Sequence, residues 1–182
     1  MKDLKEEILC AGHGGQGIML MGKLLAYAGM QAGYNVTWIP SYGAEVRGGT
    51  AHSMVRIQKD GPIANPMVTN PTSCIVMNKP SLAKFIHLIK PGGLLIVDTT
   101  EINDVPVRID INIKKAPLTK IAIEVGDKRA ANIVAIGYFN KIKNMFAENE
   151  LTNCIPFIFT RNLDLVKINE KALARGYAID IK

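Results

Sequence analysis

Ile8-Leu9-Cys10-Ala11-Gly12-His13-Gly14-Gly15-Gln16-Gly17 is the stretch on which the fold turns. An apolar run of strand length, Ile8 to Ala11, stops abruptly in a turn built largely of glycine. Beyond it, apolar residues recur at helical spacing from about Ile18 to Gln31. Leu20, Leu24, Leu25 and Ala28 are expected on the buried face, and Gly33 is expected to end the helix. A strand feeding a glycine turn at the opening of a helix is the first half of an α/β unit. In Gly12-x-Gly14-x-x-Gly17 the missing side chains let backbone approach a ligand, and the free N–H groups of the helix start favour an anion. The same glycines also suit a tight strand-to-helix turn that binds nothing, and the motif alone leaves both readings open. Gln16 adds an amide that can donate and accept, suited to a ligand or to a neighbouring loop.

Outward from this turn the alternation continues. Tyr34 to Ile39 reads as the second strand. A dinucleotide site would place an Asp or Glu at its end to hold a ribose hydroxyl. Here the strand ends Thr37-Trp38-Ile39-Pro40, with neither a carboxylate nor an arginine for a 2′-phosphate, which argues against an NAD site and against a short dehydrogenase. After a loop from Pro40 to Thr50, Ala51 to Gln58 alternates as a third strand. Cys74 to Met77 and Leu94 to Val97 are continuous apolar strands, the second ending at Asp98, with a helix from Ser81 to Ile89 and a Pro91-Gly92-Gly93 turn between them. Continuous apolar strands separated by helices indicate a parallel sheet covered on both faces. Val107 to Ile113 is a candidate edge strand. From Pro117 the pattern is helical: Leu118 to Val125, Ala130 to Met145, and Asn162 to Arg175 with Gly176 as the stop. The expected fold is α/β, a Rossmann-like three-layer domain over residues 1–182, with a mostly parallel sheet and a helical C-terminal third.

Composition narrows the function. The 182 residues are 48% hydrophobic and 21% charged, which suits a folded chain rather than a disordered one. The net charge of +6, from 22 basic and 16 acidic residues, is scattered, and five Phe, five Tyr and one Trp offer few stacking platforms. That excludes a nucleic-acid arm and leaves a solvated basic surface, or one that meets an acidic partner or anionic ligand. Cys10, Cys74 and Cys154 are isolated from one another, which points to a reducing compartment and cannot supply a four-cysteine iron–sulfur site. The charged start Met1-Lys-Asp-Leu-Lys-Glu-Glu does not read as a signal peptide, and no run approaches the roughly 18 apolar residues of a membrane span. A cytoplasmic chain without membrane partners is expected. The eight methionines fit core filling or an adaptable interface.

Ser41-Tyr42-Gly43-Ala44-Glu45-Val46-Arg47-Gly48-Gly49 is the second informative segment. It joins strands two and three, and in a parallel sheet it would lie beside the first glycine turn, at the strand edge where α/β proteins bind ligands. Ser41, Tyr42, Glu45 and Arg47 cluster polar groups among Gly43, Gly48 and Gly49. Glu45 and Arg47 either brace the loop or serve a ligand.

Together the two segments resemble the gamma subunit, or corresponding domain, of the pyruvate and 2-oxoacid:ferredoxin oxidoreductases. The family pattern Gly-x-Gly-Gly-Gln-Gly is met at Gly12 to Gly17, and Ser-Tyr-Gly-x-Glu-x-Arg-Gly-Gly at Ser41 to Gly49. The similarity continues through Lys90 to Asp98, Ala130 to Gly137 and Asn169 to Tyr177, nearly the whole chain in order. His13 departs from it, standing where an apolar or aromatic residue is expected. Ser-Tyr-Gly in place of a His-Gly loop places the chain nearer the 2-oxoglutarate and branched-chain members than the indolepyruvate enzymes. The resemblance implies a complex that converts a 2-oxoacid, coenzyme A and oxidised ferredoxin to acyl-CoA, carbon dioxide and reduced ferredoxin. It implies alpha and beta subunits and a ferredoxin-like delta subunit as partners, with thiamine diphosphate, magnesium and iron–sulfur clusters on those chains. Gly126-Asp127 is followed by Lys128 with no downstream Asn-Asn, so it does not match a thiamine motif. On this reading the chain has no catalytic residue and no metal ligand of its own. Gly12, Gly14, Gly15, Gln16, Gly17, Ser41, Tyr42, Gly43, Glu45, Arg47, Gly48 and Gly49 are its ligand or interface loops, with coenzyme A at the subunit boundary. A free-standing nucleotide-binding or regulatory domain is the competing class.

Overall fold

A computed structural model describes residues 4–41, 50–159 and 162–181. Six strands form one sheet: β1 (Lys5–His13), β2 (Asn35–Ser41), β3 (Thr50–Gln58), β4 (Ser73–Val76), β5 (Leu94–Asp98) and β6 (Asn112–Ala116), in the order β2-β3-β1-β4-β5-β6. Six helices accompany them: α1 (Ile18–Gln31), α2 (Lys79–Phe85), α3 (Leu118–Val125), α4 (Ala131–Lys143), α5 (Glu148–Ile158) and α6 (Leu163–Tyr177). β1, β4, β5 and β6 pair in parallel, whereas β3 runs against both β1 and β2. The sheet is thus mostly parallel, with β3 as the reversed strand.

That reversal corrects the expectation of a parallel link between strands two and three. Eight residues separate Ser41 from Thr50, and a parallel crossover needs about a dozen or more, usually with a helix. β2 and β3 therefore pair as an antiparallel hairpin, Ser41 opposite His52. Thr50 pairs with His13 at the end of β1, while the Tyr42–Gly49 segment itself lies outside the described residues. Both flanks of the Tyr42–Gly49 segment are held beside the first glycine turn.

Two apolar layers cover the sheet. Ile8, Cys10, Val55, Ile75 and Ile96 face α1 and α3 to α6, while Leu9, Met54, Cys74, Leu95 and Val97 face α2 and the 3-10 turn Ile86–Leu88. β4 and β5, enclosed on both sides, are buried at every position, as their unbroken apolar sequence requires. At the far edge from the glycine turn, buried Glu7 is met by Arg56 at 2.7 Å and by Lys90, and Glu6 by Lys143 at 2.7 Å. A carboxylate taken out of water without such partners would be strongly unfavourable.

Several boundaries differ from the sequence reading. β6 lies at Asn112–Ala116 rather than Val107 to Ile113, because Arg108 turns inward to the Ile86 and Ile89 carbonyls and Asp110, leaving Val107 and Ile109 outside. α5 was not expected: Pro156 sits inside it, although Glu150 accepts a hydrogen bond from the Ala147 N–H at 2.7 Å to open it. Gly176 does not stop α6, which runs on to Tyr177. It packs against α4 instead, where a Cβ would lie 2.2 Å from the Val134 carbonyl oxygen. Buried Asn140 ties this region together, donating to Phe146 O and Tyr177 Oη and accepting from the Met145 and Phe146 N–H groups.

Candidate functional site

The glycine turn is closed by the Gln16 N–H donating to the His13 carbonyl at 3.2 Å, with Gly15 at φ 99°. A turn of this kind needs positive φ at its third position, which glycine takes without steric penalty. Gly17, at φ 69°, then caps α1. Gln16, expected to face a ligand or a loop, does the second. Its amide donates to Met77 O at 2.8 Å and accepts from the His13 N–H at 2.9 Å. Gly12 is required by this arrangement, since a Cβ there would meet Gln16 Oε1 at 2.5 Å.

Gly14 is different. Its φ is not in the positive region, and an added Cβ meets nothing within 4 Å among the described residues. No contact within the described chain requires glycine there. Among the described residues nothing covers the outer side of the turn at Gly14.

Around the turn the structure gathers residues that the sequence reading did not single out. Asn132, at the start of α4, donates to Gly17 O at 3.1 Å. Asp127 accepts from the Arg129 N–H at 2.8 Å, capping the 3-10 turn Lys128–Ala130, and holds the Arg129 guanidinium at 2.7 to 3.1 Å. That hydrogen-bonded pairing keeps the Asp127 carboxyl below the usual carboxylate range and raises Arg129. Arg129 Nη1 is left without a partner among the described residues. Lys128 reaches Glu101 at 3.2 Å. Among the described residues no group of three or more His, Cys, Asp or Glu side chains converges.

Three cavities lined by described residues border the turn. One, about 190 Å³, lies between Gly15 and Gly17, the Asp127–Asn132 segment and α6; Leu20, Phe159, Leu165 and Ile168 make it largely apolar. Leu20, expected in the core, is 36% exposed because it lines this opening rather than the sheet. A second, about 140 Å³, places His13 opposite Lys128 and Arg129. A third, about 260 Å³, runs over Gly14 and the first turn of α1 to Ala51. His13 itself is exposed, with Nδ1 at 2.7 Å from Gly14 O.

Ser41 ends β2 at this same edge, half-buried, opposite His52. The His52 ring packs on Phe85 at 5.1 Å, and its buried Nδ1 has no hydrogen-bond partner among the described residues. Burial lowers its pKa, and the Lys84 charge adds to that. Tyr42, Gly43, Glu45, Arg47, Gly48 and Gly49, singled out in the sequence, lie outside the described residues. Among the described residues no helix is long and apolar enough to cross a membrane.

Known proteins resemble this chain in sequence and in fold. The family model for pyruvate ferredoxin/flavodoxin oxidoreductase matches residues 7–179. A 2-oxoglutarate synthase subunit KorC of Methanocaldococcus jannaschii is 30% identical over 179 residues, covering 97% of this chain and 94% of the relative. A ketoisovalerate oxidoreductase subunit VorA of Methanothermobacter marburgensis is 33% identical over 167 residues, but this chain, 91% of which aligns, spans only 34% of that protein's length. Among solved structures, the gamma subunit of a keto/oxoacid ferredoxin oxidoreductase from Geobacter sulfurreducens superposes with a TM-score of 0.80 at 26% identity, covering 95% of this chain and 96% of that one. The 2-oxoglutarate:ferredoxin oxidoreductase from Magnetococcus marinus, solved with 2-oxoglutarate, coenzyme A and succinyl-CoA bound, gives 0.86 at 25% identity, over 98% of this chain and 31% of that one. The match over residues 7–179, with relatives at 30% identity or more over nearly the whole chain, makes the chain a member of the pyruvate ferredoxin/flavodoxin oxidoreductase family.

Proposed function

We propose that this chain is the gamma-type subunit of a 2-oxoacid:ferredoxin oxidoreductase of the 2-oxoglutarate synthase kind, contributing assembly and a docking rim for coenzyme A. The observation that carries the reading is its end-to-end correspondence with a KorC subunit, 97% of one chain on 94% of the other. The outer side of Gly14, uncovered among the described residues, supports the assigned role, because a glycine turn at a helix start suits a phosphate. The chemistry of the complex, 2-oxoacid and coenzyme A to acyl-CoA and carbon dioxide with electrons passed to ferredoxin, rests with thiamine diphosphate, magnesium and iron–sulfur clusters on the alpha, beta and ferredoxin-like delta partners, in the cytoplasm.

In this role the chain's own groups bind and orient. N–H groups of the turn face the pyrophosphate, and Arg129 Nη1 adds a charge-assisted donor at the rim. Arg47, on sequence grounds alone, supplies a second guanidinium. The experiment is co-expression with the partner subunits, followed by purification and assay of coenzyme A-dependent 2-oxoglutarate oxidation. A stable hetero-oligomer whose activity needs this chain supports the reading. Recovery of the chain as a lone monomer, with the partners fully active without it, would overturn it in favour of a free-standing nucleotide-binding domain.

A further inference from the structure

β6 closes one side of the sheet, and among the described residues no strand lies beyond it. The Asn112 N–H donates to the Gly93 carbonyl at 2.8 Å, and the Ala116 carbonyl accepts from the Thr99 N–H at 2.9 Å. Successive residues of a strand direct their peptide groups to opposite sides. Asn112, Lys114 and Ala116 therefore serve β5, and the N–H and C=O groups of Ile113 and Lys115 face outward. Just before this strand, Val107 and Ile109 are 87% and 97% exposed. Between them the Arg108 guanidinium donates to Ile86 O at 2.7 Å and Ile89 O at 3.2 Å, and pairs with Asp110. Asp110 O in turn accepts from the Gly92 N–H at 2.6 Å. The segment leading into the edge is thus pinned to the body of the chain, with two apolar side chains turned away from it. Its charge is one-sided. With Asp110 held by Arg108, the other charged residues from Val107 to Lys120 are Lys114, Lys115 and Lys120, all positive.

The geometry points to β6 as a docking edge that takes an acidic, extended segment of a partner subunit as an added strand. Outward N–H and C=O groups are the template for such an addition. An edge lysine deters neutral strands and basic ones, but attracts a strand that bears carboxylates. A second copy of this chain is disfavoured. Antiparallel pairing of β6 with itself would set Lys114 and Lys115 against the same lysines, and like charges on facing strands are destabilising. Val107 and Ile109 add the apolar contact, leaving water when the partner docks. The inference rests on the subunit reading, and adds which edge a partner uses and what charge that partner carries. It involves neither the glycine turn nor the cavities beside it.

Hydrogen exchange read residue by residue, on the lone chain and on the co-expressed complex, tests it. The Ile113 and Lys115 amides should exchange rapidly in the lone chain and slow at least about tenfold on assembly. Lys115→Pro removes one outward N–H and breaks no bond to β5. The lone variant should therefore melt as wild type, while its affinity for the partner subunits falls at least about tenfold. Lys115→Glu keeps the N–H but reverses the charge, and should weaken assembly more at low salt than at high. Unchanged exchange at Ile113 and Lys115 in a complex that does form would overturn the docking edge and leave the subunit reading standing. Slow exchange in the lone chain, together with a dimer in sedimentation, would overturn it in favour of self-pairing. A Lys115→Glu chain that assembles like wild type would overturn the acidic partner. A wild-type chain that never joins the complex would overturn the subunit reading, and the docking edge with it.

Discussion

The Asn132 amide donates to the Gly17 carbonyl at 3.1 Å across 115 residues of sequence, and a Cβ on Gly17 would lie 2.3 Å from that same nitrogen. The start of α4 thus holds the start of α1 and fixes the glycine turn between them. Gly17 O also accepts from the Met21 N–H at 3.0 Å, so it is not orphaned when the amide is removed. Asn132→Ala is therefore expected to cost only about 1 kcal/mol, roughly 2–4 °C in Tm for a chain of this size. Its larger effect should fall on coenzyme A affinity in the assembled complex, because the turn loses its brace. Thermal melts beside coenzyme A titrations check this: a large Tm loss with unchanged affinity would contradict it.

Gly14 and Gly17 should separate function from folding. Alanine at Gly17 must take φ 69° and displace Asn132, so a loss of about 1–2 kcal/mol or more is expected. Alanine at Gly14 meets open space and should stay within about 0.5 kcal/mol of wild type. The Gly14→Ala complex should nevertheless show a raised KM for coenzyme A, since the methyl occupies the face a ligand would use. Urea melts and KM measurements on both variants distinguish the two roles.

Gly137 and Gly176 meet where α4 crosses α6. A Cβ on Gly137 would sit 2.3 Å from the Leu173 carbonyl oxygen, a backbone atom that cannot rotate away. Alanine gains up to about 1 kcal/mol of helix propensity over glycine, but forcing two packed helices apart costs about 1–3 kcal/mol. The packing cost should win, and Gly137→Ala should lower the urea midpoint without changing the oligomeric state of what remains folded.

The thiols give a pH dependence of defined sign. Burial pushes Cys10 up to about 12, and raises Cys74 and Cys154, with the Cys10 and Glu150 charges respectively adding to burial. Above the ordinary thiol pKa of about 8.5 the unfolded chain releases these protons while the folded chain keeps them. The unfolded state then binds fewer protons, so stability should fall as pH rises from about 8.5 towards 12. Denaturation midpoints across that range check it, and a Cys10→Ala, Cys74→Ala variant should show a flatter slope. Native thiols should also resist a disulfide reagent at pH 8 until the chain is unfolded.

The first half of this fold was legible because its signals are local. Strand alternation and the glycine turn placed α1, β3 and β5 within a residue, β1 within three, and α3 at its observed limits. What escaped depends on distant partners. β3 reads as an ordinary strand, and only the short link from Ser41 to Thr50 betrays its reversal. Gly176 looks like a helix stop until Gly137 is seen against it. Pro156 and a polar first turn hid α5, whose helix is held by Leu151, Cys154 and Ile155 against the core. At the site, the glycines were visible, but Asn132 and Arg129 carry no local motif and acquire meaning only when the start of α4 folds back onto the turn.

Reconstitution of the complex with and without this chain is the most direct measurement of the account. Coenzyme A-dependent oxidation of 2-oxoglutarate, with reduction of ferredoxin, should appear when the chain is present, vanish when it is withheld, and return with a raised KM for coenzyme A when Gly14→Ala is supplied instead. Equal activity with and without the chain, or a Gly14→Ala complex indistinguishable from wild type in coenzyme A dependence, would contradict the claim that a bare turn on this subunit receives the coenzyme.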